Sequence, residues 1–378
     1  MRKLYLIKLL IVVISFSSCQ ESENVESISK LTSNPYKISV DEAKDIVLDF
    51  MQVFQGSDSC KTRTKMRNLE IESVEIVDAN KVITRSVGIE DTLLYAVNFS
   101  NNGGYVLVGA DRRTEPIFGV IDNGSFSEKS VEENPNFAYF LNLALGKAVY
   151  DVKTSTTKAV NLGIGDYDNV YGSTYHLTSK WGQGAPYNVY CPGLYTGCVA
   201  VAVAQILSYF PVIGQDNFAS GSAILHWNQI QSDCFKNDGR LNTFTTPQSA
   251  NEIAHLMRYL GVVLKAEYKD DGTSMESKDA INWINDWTSL KATKLKEYNA
   301  NEIFMAANFF SNKLVYMRGN RGKNDFLGIT IKYTGGHAWV ADGAFSARRK
   351  SDNKFVNLYH FNWGWDGSNN GYFLAAVF

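Results

Sequence analysis

Cysteine is scarce in this sequence, with five residues in 378, and its charges nearly balance at a formal net charge of −2. The balance provides no strongly basic surface, so no nucleic-acid partner is expected. Beyond residue 18, no apolar run is long enough to cross a bilayer. The sequence is nevertheless 45% apolar and 20% charged. That composition predicts a folded globular protein, long enough for two domains.

The N-terminal segment has the order of parts of an export signal. Arg2 and Lys3 precede a short apolar run, and small residues lead from it to Cys19. A cysteine at this position resembles a bacterial lipoprotein signal, with Cys19 as the lipidated first residue of the mature chain. The alternative is a plain secretory signal with an incidental cysteine. We expect a signal peptide over residues 1–18, a tether over residues 19–37 and an exported protein, anchored by lipid in the outer membrane or at the cell surface until processing releases it.

The remaining cysteines do not form a complete disulfide framework. Export exposes thiols to oxidants, and removal of Cys19 leaves Cys60, Cys191, Cys198 and Cys234. If Cys198 must stay reduced, an odd number remains, which excludes full pairing. A disulfide between Cys191 and Cys234 is an option that the sequence leaves open.

Residues 38–150 carry the patterns of a small α+β unit. Ser39 and Glu42 have the spacing of a capping box, and the amphipathic helix that they open is expected to end at Gly56. Residues 101–104 read Asn-Asn-Gly-Gly, which is a strong hairpin signal. No Cys/His pairing with metal-ligand spacing occurs in this unit. The other predicted elements are strands at residues 93–99, 105–108 and 116–121 and a helix at residues 136–150.

A polar stretch at residues 153–158 separates this unit from a region with a different composition. Glycine and aromatic residues become dense beyond about residue 160, and the chemically suggestive motifs lie there. Polar segments between folded units are preferred sites of proteolytic cleavage. We expect one domain with its cleavable linker over residues 38–158 and a second over residues 159–378. This order fits a precursor activated by cleavage, although a generic two-domain lipoprotein would share most of it.

Cys198 follows Gly197 at the predicted start of an apolar helix over residues 199–210. A helix N-terminus carries partial positive charge and unpaired N–H groups, which favour the reactive thiolate over the thiol. Gly197 leaves room for a substrate backbone. A buried cysteine that only fills a core helix is the alternative interpretation of this segment alone.

His337 and Asn362 are candidates for a base and the group that orients it. His337 follows two glycines at the head of a predicted short strand, and Asn362 lies 25 residues later, beside two tryptophans. One strand and a return strand fit that interval and would bring the two side chains close together. An asparagine oxygen can accept from one imidazole nitrogen and leave the other facing the thiol. A structural histidine and an aromatic hairpin corner are the alternatives.

Gln183 and Trp363 complete the candidate site. Gln183 lies in a glycine-rich loop 15 residues before Cys198. Its side-chain amide and the N–H of Cys198 would form a two-donor oxyanion hole. Trp363 could cover the imidazole–amide hydrogen bond and exclude water.

Each motif is weak alone, but in the order Gln, Cys, His, Asn they resemble the streptopain family of papain-like cysteine peptidases, peptidase family C10. The matching stretches are residues 183–188, 196–200, 204–206, 226–228, 335–338 and 362–365. The resemblance implies an α+β fold. In its papain-like domain a helix bears the cysteine and an antiparallel sheet bears the histidine and asparagine. A small α+β propeptide domain, inhibitory and removed by proteolysis, is implied to precede it.

The same resemblance implies the roles of the site residues. Cys198 would be the nucleophile, His337 the base, Asn362 its orienter, Gln183 part of the oxyanion hole and Trp363 the shield. The resulting hypothesis is a cysteine endopeptidase made as a zymogen. It would act on proteins and peptides, be inhibited by its own propeptide, meet a membrane only through the lipid anchor, and need no metal or organic cofactor.

Two other functions fit parts of the sequence. The same thioester chemistry can transfer an acyl group to an amine, as in a transglutaminase or transpeptidase. A non-catalytic surface lipoprotein could instead bind a partner through its aromatic residues. Competent residue types fill all four catalytic positions, which counts against the non-catalytic alternative.

Overall fold

The computed structural model describes residues 34–56, 69–77, 92–155, 166–172, 175–214, 224–270, 272–307, 313–319, 325–326, 329–330 and 336–378. The predicted signal peptide, Cys19, Cys60 and residues 156–158 of the predicted linker lie outside the described residues. Contacts divide the chain into Met1–Lys37 and Ile38–Phe378. In the first unit, Lys37 N donates to Asn34 O at 3.1 Å and closes a turn.

The helices of the described residues are α1 (Val40–Gly56), α2 (Glu128–Glu132), α3 (Pro135–Thr154), α4 (Cys198–Tyr209), α5 (Trp227–Lys236), α6 (Pro247–Val263), α7 (Ser277–Trp287), α8 (Ala300–Ala307) and a short 3₁₀ helix at Ala375–Val377. Within those residues, no helix combines the length and the apolar character needed to cross a membrane.

The strands are β1 (Ile71–Val77), β2 (Leu94–Phe99), β3 (Tyr105–Gly109), β4 (Ile117–Ile121), β5 (Tyr167–Gly172), β6 (Glu267–Lys269), β7 (Gly272–Ser274), β8 (Val315–Gly319), β9 (Asp325–Phe326), β10 (Ile329–Thr330), β11 (His337–Arg349), β12 (Phe355–Asn362) and β13 (Gly371–Leu374). Nine of them form one sheet in the order β1-β2-β3-β4-β13-β12-β11-β5, with β8 also paired to β11. Every pairing in this sheet is antiparallel. The strand predicted to be short at His337 is 13 residues long, so its first half pairs with β8 and its second with β5.

Residues 38–150 form the predicted helices and strands, but they do not close a sheet of their own. Strand β4 pairs with β13, so that Val120 lies opposite Tyr372. Strands β1–β4 of the N-terminal half therefore continue the sheet that carries His337. The reason lies in the backbone: an edge strand presents unpaired N–H and C=O groups, and each half supplies such an edge to the other.

Helix α1 begins where the capping box predicts. Ser39 N donates to Glu42 Oε2 at 3.0 Å, and Glu42 N donates to Ser39 Oγ at 3.3 Å. The apolar face of α1 packs against strands of the C-terminal half. The ring of Phe50 meets that of Phe345 at 5.8 Å, and the ring of Phe54 meets that of Tyr372 at 5.2 Å. The two halves therefore share one apolar core.

A buried ion cluster lies at the junction of the two halves. His360 of β12 shares a hydrogen bond of 2.6 Å between its Nδ1 and Asp342 Oδ1. Its Nε2 lies 3.0 Å from Oδ2 of Asp122, the residue after β4. The ring of Tyr175 stacks on the imidazole at 4.2 Å, and that of Tyr372 contacts it edge-on. The imidazole of His360 is thus hydrogen-bonded to one carboxylate from each half, Asp342 from the C-terminal half and Asp122 from the N-terminal half.

A second core surrounds α4. This helix packs against β11 on one side and against α6 and α7 on the other. Its residues from Val199 to Ser208 are all buried, as expected of a helix that is apolar around its whole circumference. The start of α4 is consequently fixed beside the start of β11.

Candidate active site

Cys198 is the first residue of α4, as the sequence predicts. Gly197 precedes it with φ of 94°, a conformation that favours glycine. A Cβ there would also come within 2.7 Å of the Met275 side chain and 3.1 Å of that of Thr273. The Sγ of Cys198 lies 3.9 Å from the carbonyl oxygen of Gly336, the residue before His337. The fold therefore brings the nucleophile candidate to the strand that carries the base candidate.

His337 is the first residue of β11 and is half-buried. Burial lowers the pKa of its imidazole to about 4. The cause is desolvation, which disfavours the charged form of a histidine. The ring is therefore neutral at pH 7. A neutral imidazole can accept a proton, but it gives a thiolate no ionic partner.

Asn362 is the last residue of β12, on the return strand that the sequence predicts. The register places it opposite Val340, three residues along β11 from His337. Its amide is used locally: Nδ2 donates to Ser179 O at 2.7 Å, and Oδ1 accepts from Gly364 N at 3.3 Å. These bonds tie Asn362 to the chain segment that leads to Gln183. Orientation of His337 by Asn362 stays a prediction.

Gln183 lies in a buried part of its loop, with 6% of its surface exposed. Thr196 N donates to Gln183 O at 3.0 Å, so the loop is bonded two residues before Cys198. The loop is also held to the turn after β12, because Asp366 N donates to Trp181 O at 3.3 Å. Donation by its side-chain amide to an oxyanion beside Cys198 stays a prediction.

Trp363 is fully buried in the core that both halves share. Its indole Nε1 donates to Asn369 O at 2.9 Å, and its backbone N donates to Asn370 Oδ1 at 3.0 Å. The ring packs against that of Trp339 at 5.2 Å. These contacts fix the turn after Asn362, and the predicted shielding of the site stays a prediction.

Two residues of α3 in the N-terminal half reach the site. Asn136 is fully buried, and its Nδ2 donates both to Ala338 O at 2.9 Å and to Trp363 O at 2.7 Å. It thereby joins the residue after His337 to the residue after Asn362. The ring of Tyr139 lies 6.4 Å from that of His337, centroid to centroid, and contributes to its low-dielectric surroundings.

Asn136 and Tyr139 carry no distinguishing signal in the sequence, because α3 reads as an ordinary apolar helix. The pairing of Asp342 with His360 has no signal in the sequence either. One signal was available in α4, where Gln205 is a buried amide among aliphatic residues. A buried polar residue in such a helix needs a hydrogen-bond partner, so it points to a long-range contact.

Cys191 and Cys234 are free thiols, so the disulfide that the sequence left open is not formed in this structure. Cys234 Sγ instead accepts from Trp181 Nε1 at 3.4 Å. Burial raises the pKa of the Cys234 thiol to about 11 and also raises that of Cys191. Both thiols are therefore poor nucleophiles at pH 7.

Two family models match the chain. The Peptidase C10 family matches residues 181–373, which include Gln183, Cys198, His337 and Asn362. The Spi protease inhibitor family matches residues 35–146, which include α1, β1–β4 and most of α3.

Individual relatives also match the chain. Streptopain of Streptococcus pyogenes is 25% identical over 381 residues, covering 88% of this chain and 83% of that protein. The thiol protease/hemagglutinin PrtT of Porphyromonas gingivalis is 23% identical over 340 residues, covering 76% of this chain and 34% of that protein. A solved fragment of Prevotella intermedia prointerpain A has a TM-score of 0.50 at 23% identity, covering 75% of this chain and 90% of the fragment.

Proposed function

The chain belongs to the peptidase C10 family and is a cysteine peptidase with an inhibitor-like N-terminal propeptide domain, and from this premise we propose that it hydrolyses peptide bonds with Cys198 as nucleophile and His337 as base. The observation that carries the proposal is the contact of the Cys198 thiol, at the N-terminus of α4, with the backbone beside His337. A helix N-terminus favours the thiolate, and the neighbouring strand supplies the proton acceptor.

The proposed reaction has two steps. Cys198 Sγ attacks the scissile carbonyl carbon, and the tetrahedral oxyanion accepts hydrogen bonds from the Gln183 amide and the Cys198 N–H. His337 takes the thiol proton and gives it to the leaving amine as the C–N bond breaks, and a thioester forms. His337 then takes a proton from water while the hydroxide attacks the thioester. The C–S bond breaks, the acid product leaves, and His337 returns the proton to Cys198 Sγ. Asn362 orients the imidazole during both steps, and Trp363 excludes water from the hydrogen bond between them.

The propeptide keeps this site silent in the precursor. Asn136 fastens the backbone at Ala338 to that at Trp363, and Tyr139 packs on His337. The desolvated imidazole is neutral at pH 7, so it does not stabilise the thiolate as an ion pair. Removal of α3 frees both backbone carbonyls and lets water reach the ring.

Substitution of Cys198 tests the chemistry. After removal of its propeptide, Cys198→Ala is expected to show no hydrolysis, while its precursor keeps the melting temperature of the wild-type precursor within a few degrees. Iodoacetamide should label Cys198 ahead of Cys191 and Cys234 in the processed enzyme, because burial raises the pKa of the other two thiols. Peptidase activity retained in Cys198→Ala would disprove the assignment.

We further propose that the precursor is exported, anchored by lipid at Cys19, and activated by cleavage between about residues 150 and 165. The basis is the signal-like N-terminus and the polar segment between the two family matches. Metabolic labelling with a palmitate analogue should mark the wild type but not Cys19→Ser. A label that persists in that variant would contradict the anchor.

The cleavage site is tested separately. The purified precursor is incubated under reducing conditions, and the new N-terminus of the stable fragment is sequenced. A cut in the expected interval that is absent in Cys198→Ala establishes self-processing. A stable product that starts elsewhere contradicts the proposed boundary between residues 158 and 159.

A further inference from the structure

Gln205 is a buried amide in the helix that carries the nucleophile. Its side chain is fully inaccessible to solvent, and its neighbours along α4 are aliphatic or small. Burial of an amide is unfavourable unless it forms hydrogen bonds. An apolar residue of the same size would fill this space without the free-energy cost of desolvating an amide. The amide group is therefore expected to form a specific contact here.

The position of Gln205 on α4 relates it to Cys198. The two residues are seven apart in sequence. With about 3.6 residues per turn, that separation places both on the same face of the helix. A segment that is hydrogen-bonded to Gln205 therefore lies at a fixed distance from the thiol and from the N–H of Cys198, because α4 connects the two residues.

One segment so held is the loop that carries Gln183. Gln205 Oε1 accepts a hydrogen bond of 3.2 Å from Trp181 N, two residues before Gln183. Trp181 is itself fully buried, and its indole donates to Cys234 Sγ. The bond to Gln205 thus joins a rigid anchor of the loop to the nucleophile helix.

The turn after Asn362 lies against the same side chain. Gly364 adopts φ of 75°, and a Cβ there would come within 3.0 Å of Val201 and 3.9 Å of Gln205 Nε2. Within the described part of the chain, that Nε2 has no hydrogen-bond partner. Gln205 therefore lies between the loop that carries Gln183 and the turn that follows Asn362. Its hydrogen bond is to the loop, through Trp181 N.

We propose that Gln205 is a positioning residue for the oxyanion hole: by holding Trp181 N, it sets the Gln183 amide at the correct distance from the Cys198 N–H. The inference rests on the proposed role of Gln183. Catalytic geometry tolerates displacements of only about 0.5 Å, so a loop that loses this bond stabilises the oxyanion less well. Formation of the thiolate depends on the helix N-terminus and His337 and is unaffected.

The test compares two reactions of the same thiol. Alkylation by iodoacetamide needs the thiolate alone, whereas peptide hydrolysis and binding of a peptide aldehyde both develop an oxyanion. Variants are expressed as full chains, and immobilised wild-type enzyme removes their propeptides. In Gln205→Met, kcat and aldehyde affinity should each fall about tenfold or more, approaching the loss caused by removal of an oxyanion donor. KM and the alkylation rate should stay within about twofold, because substrate binding and the thiolate do not use this bond.

Two further variants separate positioning from general stability. Gln205→Glu, whose buried carboxyl keeps an oxygen at the acceptor position, should recover most of the kcat. Ser208→Ala removes another buried polar group of α4, which hydrogen-bonds to Ser179 and to the Gln205 backbone. It should lower the melting temperature without separating hydrolysis from alkylation. Equal losses of hydrolysis and alkylation in Gln205→Met, or an unchanged kcat, would overturn the proposal.

Gln183→Ala is measured in parallel to distinguish the two levels of inference. If Gln183→Ala loses kcat while Gln205→Met does not, only the role of Gln205 is refuted. If Gln183→Ala keeps full kcat, the oxyanion assignment fails, and the role of Gln205 fails with it. Hydrolysis by Cys198→Ala would refute the proposed function itself.

Discussion

The two histidines on the paired strands β11 and β12 respond to burial in opposite ways. Desolvation lowers the pKa of His337 to about 4. Burial by itself would lower the pKa of His360 as well, but the carboxylates of Asp342 and Asp122 outweigh it and raise that pKa to about 9. At pH 7 the first ring is neutral and the second is charged. Burial alone therefore does not decide the charge of an imidazole, because nearby carboxylates can outweigh the desolvation, as they do at His360.

The propeptide contributes to both environments. It places the ring of Tyr139 on His337 and the carboxylate of Asp122 on His360. The contact on His337 is between rings, whereas the contact on His360 is ionic and joins the two halves of the sheet. The same domain thus supplies two different kinds of contact to two histidines on neighbouring strands.

The largest effect is expected from removal of the neutral histidine. His337→Ala should lower kcat/KM of the processed enzyme by about a thousandfold or more, since general base and acid both disappear. The melting temperature should change little, because the ring is only half-buried. Steady-state kinetics on a peptide substrate measures the loss. Retention of a tenth of the activity would show that another group is the base.

A smaller effect is expected from the carboxylate that the propeptide supplies to the charged histidine. In Cys198→Ala chains nicked in the linker, Asp122→Asn should speed propeptide dissociation about tenfold, in line with the ~1.5 kcal/mol of a hydrogen bond to a charged group. Surface plasmon resonance or gel filtration can follow the release.

Asp151→Asn is the matched control for that experiment. Asp151 pairs with Lys147 at 2.9 Å inside the propeptide helix and does not hold the junction. Its substitution should leave the dissociation rate within about twofold, as expected for an exposed or local ion pair. Similar rates for both variants would refute a specific role of Asp122.

The pH dependence gives the third test. The pKa of His360 is raised from an ordinary 6.5 to about 9 in the folded precursor. The stabilisation is therefore complete below pH 6.5 and is lost as the pH rises through about 9. Urea unfolding of the Cys198→Ala precursor should give a free energy lower by up to about 3 kcal/mol at pH 9.5 than at pH 6.5. Asp122→Asn should reduce this difference, and an equal difference in both proteins would contradict the role of the junction.

The smallest effect concerns the apolar contact on His337. Tyr139→Ala lets water reach the ring, so the pKa of His337 should rise from about 4 towards its ordinary value. NMR titration of the imidazole in the Cys198→Ala precursor measures the change. Tyr139→Phe keeps the ring and should leave the pKa in place. A pKa that stays at its low value in Tyr139→Ala would show that other neighbours desolvate the imidazole.

Local signals in the sequence predicted the local elements well. The Ser39–Glu42 box fixed the start of α1, and Asn101 and Asn102 adopt the positive φ values of a tight hairpin turn. The start of α4 at Cys198 was also predicted. Each of these depends on residues within a few positions of one another, where side-chain chemistry and backbone conformation are directly coupled.

Long-range pairing could not be predicted in the same way. The bonds between β4 and β13 join backbones about 250 residues apart, and backbone groups carry no sequence code. For the same reason the register that places Asn362 opposite Val340 was not foreseen. Asp122 and Asn136 appear ordinary in sequence, because their importance depends on which strand the sheet places beside them.

The pairing of β4 with β13 has a consequence for the lifetime of the active enzyme. Loss of the propeptide turns β13 into a bare sheet edge and uncovers Phe345 and Tyr372, which α1 had covered. Bare edges and apolar faces recruit other chains, so concentrated mature enzyme should aggregate unless substrate or another protein occupies that edge. Once the propeptide has been removed, the mature chain by itself cannot cover the β13 edge again as β4 and α1 had covered it. A mature chain that unfolds no longer has strand β4 to pair with β13, so its persistence depends on how slowly it unfolds.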